Sequence, residues 1–144
     1  MNNNTRQYQN YQNVQILTAD RVKIIIMLYD GVIRFNKLAQ SAIEEGDIEN
    51  RALYINKSHA ILGELYNSLN MQAGGEIARN LARLYEFSIS ELNVASFRND
   101  PAPLGVVNRV IAELKLGWEK IANENNAVAP EHAHGQRGSV SNGI

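Results

Sequence analysis

From Thr18 onward the apolar residues recur at spacings of three and four, the period of helices packed by one face. Thr18 is a candidate N-cap, and Asp20 puts negative charge in the first turn of a helix that reaches about Glu45. Residues 44–47 read EEGD, a glycine stop followed by an aspartate cap. A second helix is expected from about Ile48 to Leu69, with Ile48, Ala52, Ile55, Leu62, Tyr66 and Leu69 as its inward stripe. Gln72, Ala73, Gly74 and Gly75 form a break. A third helix from about Glu76 carries Ile77, Leu81, Leu84, Ser88, Leu92 and Ala95 on one face. It ends near Arg98, before the turn signal of Asn99, Asp100, Pro101 and Pro103. A fourth, from about Leu104 to Asn125, carries Val107, Ile111, Leu114, Trp118 and Ile121. Short connections favour antiparallel neighbours, so the predicted fold is all-α, an up-and-down four-helix bundle.

The two ends break this pattern. Residues 1–13 are mostly Asn and Gln, with Tyr8 and Tyr11 among them, and have little to bury. Residues 126–144 are small and polar, and a disordered tail is expected there.

The first helix is unusual in the opposite sense. At about 100° per residue its apolar side chains sweep roughly 260°, while Lys23, Asp30, Arg34, Lys37 and Ser41 crowd into the remainder. A surface helix needs a stripe of little more than about 100°. Either this helix is central, or part of its surface awaits a partner. Four helices do not easily surround one of their number, so the N-terminal segment or a foreign helix is a candidate cover.

Composition narrows the function. Fourteen Lys and Arg against fifteen Asp and Glu give a net charge of −1, without the basic footprint of a nucleic-acid binder. The absence of cysteine removes disulfides, thiolate metal sites and cysteine nucleophiles. The N-terminus has no basic start or apolar stretch of a secretory signal. The longest apolar run, Ile24 to Tyr29, is far short of the ~20 residues of a membrane span. A soluble cytoplasmic protein, with no nucleic-acid partner and no membrane insertion, is expected.

Candidate chemistry is sparse. His59, in KSHAILGEL, raises the alternative of a histidine phosphotransfer domain, which carries lysine three positions after the histidine and glycine four positions after it. Gly63 fits, but Leu62 stands where a cation would stabilise the phosphoryl group. A structural surface histidine is the simpler reading. His132 and His134 lie in the polar tail without a framework for a metal. Glu44 with Glu45, and Glu86 with Glu91, lack the Glu-x-x-His arrangement of di-iron bundles. Gly74 and Gly75 follow no strand, which excludes a phosphate loop. No catalytic residue, metal site or cofactor is expected.

Three segments, TADRVKIIIMLYDGVIRFNKLAQSAIEEGD, GGEIARNLARLYEFSISELNVASFRND and ELKLGWEKI, resemble the flagellar secretion chaperones that serve flagellin, the FliS family. The resemblance covers about residues 8–122. Its most specific part is Met27-Leu28-Tyr29-Asp30-Gly31, followed in order by Leu81, Leu84-Tyr85, Leu92, Ala95, Asn99-Asp100 and Trp118. Upstream, Tyr11, Ile16 and Thr18-Ala19 also match. Where the family opens its first long helix with Ser-Pro or Thr-Pro, this chain has Asp20-Arg21.

The resemblance implies an antiparallel helical bundle with an N-terminal capping segment, residues 1–17, ahead of the bundle at 18–125. It implies a chaperone without nucleotide or cofactor. Such a protein holds the C-terminal region of unassembled flagellin in the cytoplasm and hands it to a component of the flagellar export gate. Tyr8, Tyr11, Ile16, Ile24, Met27 and Phe35 are the candidates for touching that client. Leu28, Tyr29, Asp30, Gly31, Leu84, Tyr85 and Trp118 match signature positions and are expected mainly in the core. Tyr11 and Ile16 either cover the client groove and move aside on binding, or pack permanently. A generic helical adaptor for another client remains the second alternative, and a homodimer is left open.

Overall fold

The computed structural model describes residues 18–132, with side chains for 18–124. It contains four helices: α1 (Ala19–Glu45), α2 (Ile48–Asn67), α3 (Met71–Arg98) and α4 (Ala102–His132). Local chemistry sets their ends. The Thr18 hydroxyl accepts from the Arg21 amide at 3.4 Å, and the Thr18 carbonyl accepts from the Val22 amide at 3.0 Å, as an N-cap does. At the far end of α1, Gly46 adopts φ 74°, its amide donates to Ile43, and the Asp47 amide donates to Ala42. This is the paired closure of a Schellman motif. Asp47 then caps α2 through the Asn50 amide at 3.1 Å. Asn70 caps α3 through Ala73 at 2.9 Å. Asn99 closes α3 in the left-handed conformation at φ 53°, a role open to asparagine as well as glycine.

Residues Met27–Lys115 form one compact unit, with all of α2 and α3 and the adjoining parts of α1 and α4. Neighbours run antiparallel. Between α1 and α2, Phe35 meets Tyr54 and Gly31 meets Ile61. Between α2 and α3, the Arg51 guanidinium donates to Asn99 Oδ1 at 2.8 Å, and the Tyr66 hydroxyl donates to Glu86 at 2.8 Å. First and last helices join through Asn36, which donates to Asn108 Oδ1 at 2.9 Å, and through Gln40, which donates to the Pro101 carbonyl at 3.3 Å. The expected four-helix antiparallel bundle is therefore what the chain adopts. The core of this unit includes Tyr29, Val32, Leu62, Tyr85, Leu92, Leu104 and Ile111.

Much of the broad apolar arc of α1 has its explanation here, while Met27 and Leu38 on it stay exposed. Within this unit α1 touches all three other helices: α2 at Gly31 and Phe35, α3 at Tyr29, and α4 at Asn36. One helix of four is therefore covered on three sides.

Several expected faces need correction. On α2 the buried residues are Ile55, Ser58, Leu62 and Leu65. Ile48, at 69% exposed, Ala52 and Tyr66 face outward. The face turns because α1 packs at Tyr54 and Ile61 while α3 meets Arg51 and Tyr66, and Ser58 is fully buried. Tyr66 keeps its hydroxyl on the carboxylate of Glu86 at the surface. Near the start of α3 it is Ala78, not Ile77, that is buried, and Ile77 is 69% exposed. A Cβ at Gly74 would lie 2.6 Å from Ala78 Cβ, so the chain is closely packed at this point. The expected break at 72–75 contracts to Gly75 alone, at φ 54° and ψ −127°, and residues 71–74 already belong to α3. At the last helix, Ala102 rather than Leu104 opens α4, its amide held by Asp100 Oδ1 at 2.9 Å. The backbone of α4 continues past Asn125 to His132.

The described residues of the second compact unit, Met1–Ile26 with Leu116–Ile144, start at Thr18. In it Val22 is buried, Ile25, Ile26 and Trp118 are half-buried, and Ile24, Leu116 and Ile121 are exposed.

Candidate functional site

A closed polar and aromatic frame holds α1 in place. The hydroxyls of Tyr29 and Tyr85 hydrogen bond at 2.6 Å, with the rings edge-on, 6.4 Å between centroids. Burial pushes the Tyr85 hydroxyl far above the usual tyrosine range, reinforced by the charge and hydrogen bond of Tyr29. The Tyr85 hydroxyl thus stays protonated. One turn further on, Asn108 receives from Asn36 and donates to the Ile33 carbonyl at 3.3 Å. Toward the surface, Lys115 pairs with Asp30 at 2.7 Å. Leu28 and Leu84 are half-buried beside this frame. Gly31 permits close approach, since a Cβ there would lie 3.0 Å from Ile61 Cδ1.

That approach creates a seam on the outside of α1 and α2. Phe35 and Tyr54 stack with centroids 6.1 Å apart and 20° between planes, each half-buried. The Arg34 guanidinium carbon lies 4.5 Å from the Phe35 centroid, and the Lys57 ammonium lies 5.8 Å from it. Both attract the electron-rich ring face. Met27 stands at one end of the seam, 65% exposed, and Leu38 at the other.

The predicted client residues therefore fall in different environments. Met27 is solvent-facing, Phe35 lies in the aromatic stack, and Ile24, 47% exposed, belongs to the other unit. Tyr8, Tyr11 and Ile16 lie outside the described residues. Sequence reasoning missed Tyr54, Arg34 and Lys57 as partners of Phe35. A signal was present: Phe35 and Lys57 are equally far from Gly46, the centre of the α1–α2 hairpin. Phe97, 90% exposed at the end of α3, was missed altogether. An open depression of about 410 Å³ also runs along α4, beside Leu116, Glu119, Lys120, Asn123 and Glu124.

Reactive chemistry does not assemble around His59. The side chain is exposed on α2, and Leu62, in the phosphotransfer lysine position, is fully buried in the core. Among the described residues no group of three or more His, Asp or Glu is placed to hold a metal ion. No helix among them is long and apolar enough to cross a membrane.

A bundle with a closed internal frame and large apolar side chains left in solvent is a binding protein for another polypeptide. Comparison with known proteins specifies which kind. Residues 2–125 match the family described as Flagellar protein FliS. The chain is 36% identical to the flagellar secretion chaperone FliS of Campylobacter jejuni, over 88% of this chain and 98% of that one. It is 34% identical to FliS of Vibrio cholerae, over 81% of this chain and 87% of the relative. With FliS of Salmonella typhimurium the identity is 30%, over 74% and 80%. The chain belongs to the FliS family.

Proposed function

We propose that this chain is a cytoplasmic flagellar secretion chaperone that binds flagellin for export, without enzymatic chemistry. The observation that carries the reading is the match across nearly the whole bundle, with almost the full length of the Campylobacter jejuni chaperone covered. The exposed apolar side chains support it physically, because a chaperone of this kind substitutes for packing that its client finds only after assembly.

The finer proposal concerns which part of flagellin is held. A C-terminal region that packs only in the filament has no stable partner when free, and an apolar surface that covers it blocks premature polymerisation. Ordering such a segment costs about 2–5 kcal/mol of the gross interaction energy. A fully buried apolar side chain returns about 1.5–3 kcal/mol. Several anchors are therefore required, and a long contact suits this better than one pocket. Ile24, Met27 and Phe35 are proposed as anchors on the bundle, with Tyr8, Tyr11 and Ile16 on the capping segment. Handover to a component of the export gate completes the proposed role.

Calorimetry with full-length flagellin and with flagellin lacking its C-terminal helix tests the reading. Binding is expected with the first and lost with the second. Equal affinity for both would refute the C-terminal assignment, and binding to neither would refute the chaperone reading.

A further inference from the structure

We infer that the outer seam between α1 and α2 is a docking groove for an amphipathic helix that carries carboxylates beside its apolar stripe. The inference rests on the reading of this chain as a polypeptide-binding chaperone. It adds the chemistry of what one surface accepts. The floor is apolar: the Phe35 and Tyr54 rings stack, and Ile61 lies against Gly31. Exposed Met27 and Leu38 extend this floor along α1. From Met27 to Leu38 the groove measures about 16 Å, about three turns of a helix. Parallel ridges of two packed helices leave a channel that a third helix fills with side chains at i, i+3, i+4 and i+7.

The charges decide what that helix carries. Arg34 and Lys57 both approach the Phe35 ring, and neither forms an ion pair with any described residue. Asp30, on the same helix as Arg34, is engaged by Lys115. Two cations are thus held beside an apolar floor without an ion-pair partner among the described residues. The ring contact orients the Arg34 guanidinium in advance, leaving its fork of donors to meet a carboxylate. A second copy of this chain is a poor occupant, because a two-fold contact through this face brings Arg34 and Lys57 of both copies together. A basic helix is repelled for the same reason. An acidic amphipathic helix satisfies both the floor and the rim.

The test uses two designed helical peptides with the same leucine stripe, one flanked by glutamates and one by lysines. Their binding to the full chain is measured by fluorescence anisotropy at low salt. The glutamate peptide is expected to bind about tenfold more tightly, with the difference shrinking as salt rises. In the Arg34→Glu/Lys57→Glu variant the preference should reverse. In Arg34→Gln/Lys57→Gln, a milder change for use if the reversal unfolds the chain, the preference should vanish. Tyr54→Ala should weaken the glutamate peptide while circular dichroism remains unchanged. Equal affinities on the unmodified chain, or a preference untouched by either charge variant, would overturn the inference. So would retention of phosphatidylglycerol vesicles through Arg34 and Lys57 with no discrimination between peptides, which would make the seam a membrane contact. Flagellin binding on the same samples separates the two readings. Flagellin bound without peptide discrimination sinks the groove alone, and flagellin unbound sinks the chaperone reading.

Discussion

The Tyr29–Tyr85 pair makes a quantitative claim about how the bundle is held. Replacing either tyrosine by phenylalanine keeps the ring and removes one hydroxyl. Either change breaks the 2.6 Å hydrogen bond, and Tyr29→Phe leaves the buried Tyr85 hydroxyl without it. A buried polar group stripped of its partner costs about 1–3 kcal/mol, whereas replacing both partners by apolar groups of the same shape is far less costly. Tyr29→Phe and Tyr85→Phe should therefore each destabilise the bundle by about 2 kcal/mol. The double variant should cost no more than either single one, giving a coupling of the order of 2 kcal/mol. Urea denaturation followed by circular dichroism reads this directly. With a slope of about 2 kcal/mol per molar, each single variant moves the midpoint down by about 1 M. Additive losses in the double variant would refute the account, since they would mean that the hydroxyls act through other groups. No loss in either single variant would refute it too, by showing that water reaches the pair.

Three further predictions follow from local geometry. Because burial raises the Tyr85 pKa, the unfolded chain releases this proton near the ordinary value of 10.0 while the folded one retains it. Stability should then be intact below pH 10.0 and fall above it by about 1.4 kcal/mol per pH unit on this account, a slope that Tyr85→Phe removes in alkaline urea titrations. Asn99 holds φ 53° and accepts from Arg51, so Asn99→Ala should lower stability by about 1–2 kcal/mol while Asn99→Gly costs under about 1, as read by thermal melting. Gly75→Ala meets no neighbouring atom but demands φ 54° and ψ −127° of an L residue, so a loss of about 1–3 kcal/mol is expected, and an unchanged melting temperature would mean that α3 straightens there freely.

Helix ends were legible in the sequence where the signal is local. Thr18, Asp47 and Asn99 act on amides or turns within a few residues of themselves, so their chemistry needs no knowledge of the rest of the fold. Faces were less legible. Ile48 and Ile77 fit the period of an inward stripe and stand in solvent, because which side of a helix is buried depends on where its neighbours cross. The α1 arc was seen but half explained, since the contact with Tyr85 on α3 joins residues that are remote in sequence. Phe35 was picked out as an anchor without Tyr54 and Lys57, which come to it only through the hairpin register. A net charge of −1 likewise conceals two cations gathered at one aromatic ring. Net charge averages over the surface, and recognition depends on where the charges sit.

Exposed apolar side chains are a liability in a small bundle unless the fold is specified by something other than apolar burial alone. In the Met27–Lys115 unit that role falls to directional contacts: the tyrosine pair, Asn36 with Asn108, and Arg51 with Asn99. Each is directional, so turning a helix to bury Met27 or Phe97 would break these hydrogen bonds. The frame thereby keeps apolar residues at the surface. On the chaperone reading, a client leaves by thermal escape or by exchange onto another surface. An interface of separate anchors, each worth about 1.5–3 kcal/mol, can be given up one anchor at a time. A single deep pocket would have to be vacated at once. On the proposed reading, distributed and exposed anchors are thus the arrangement that holds a client without trapping it.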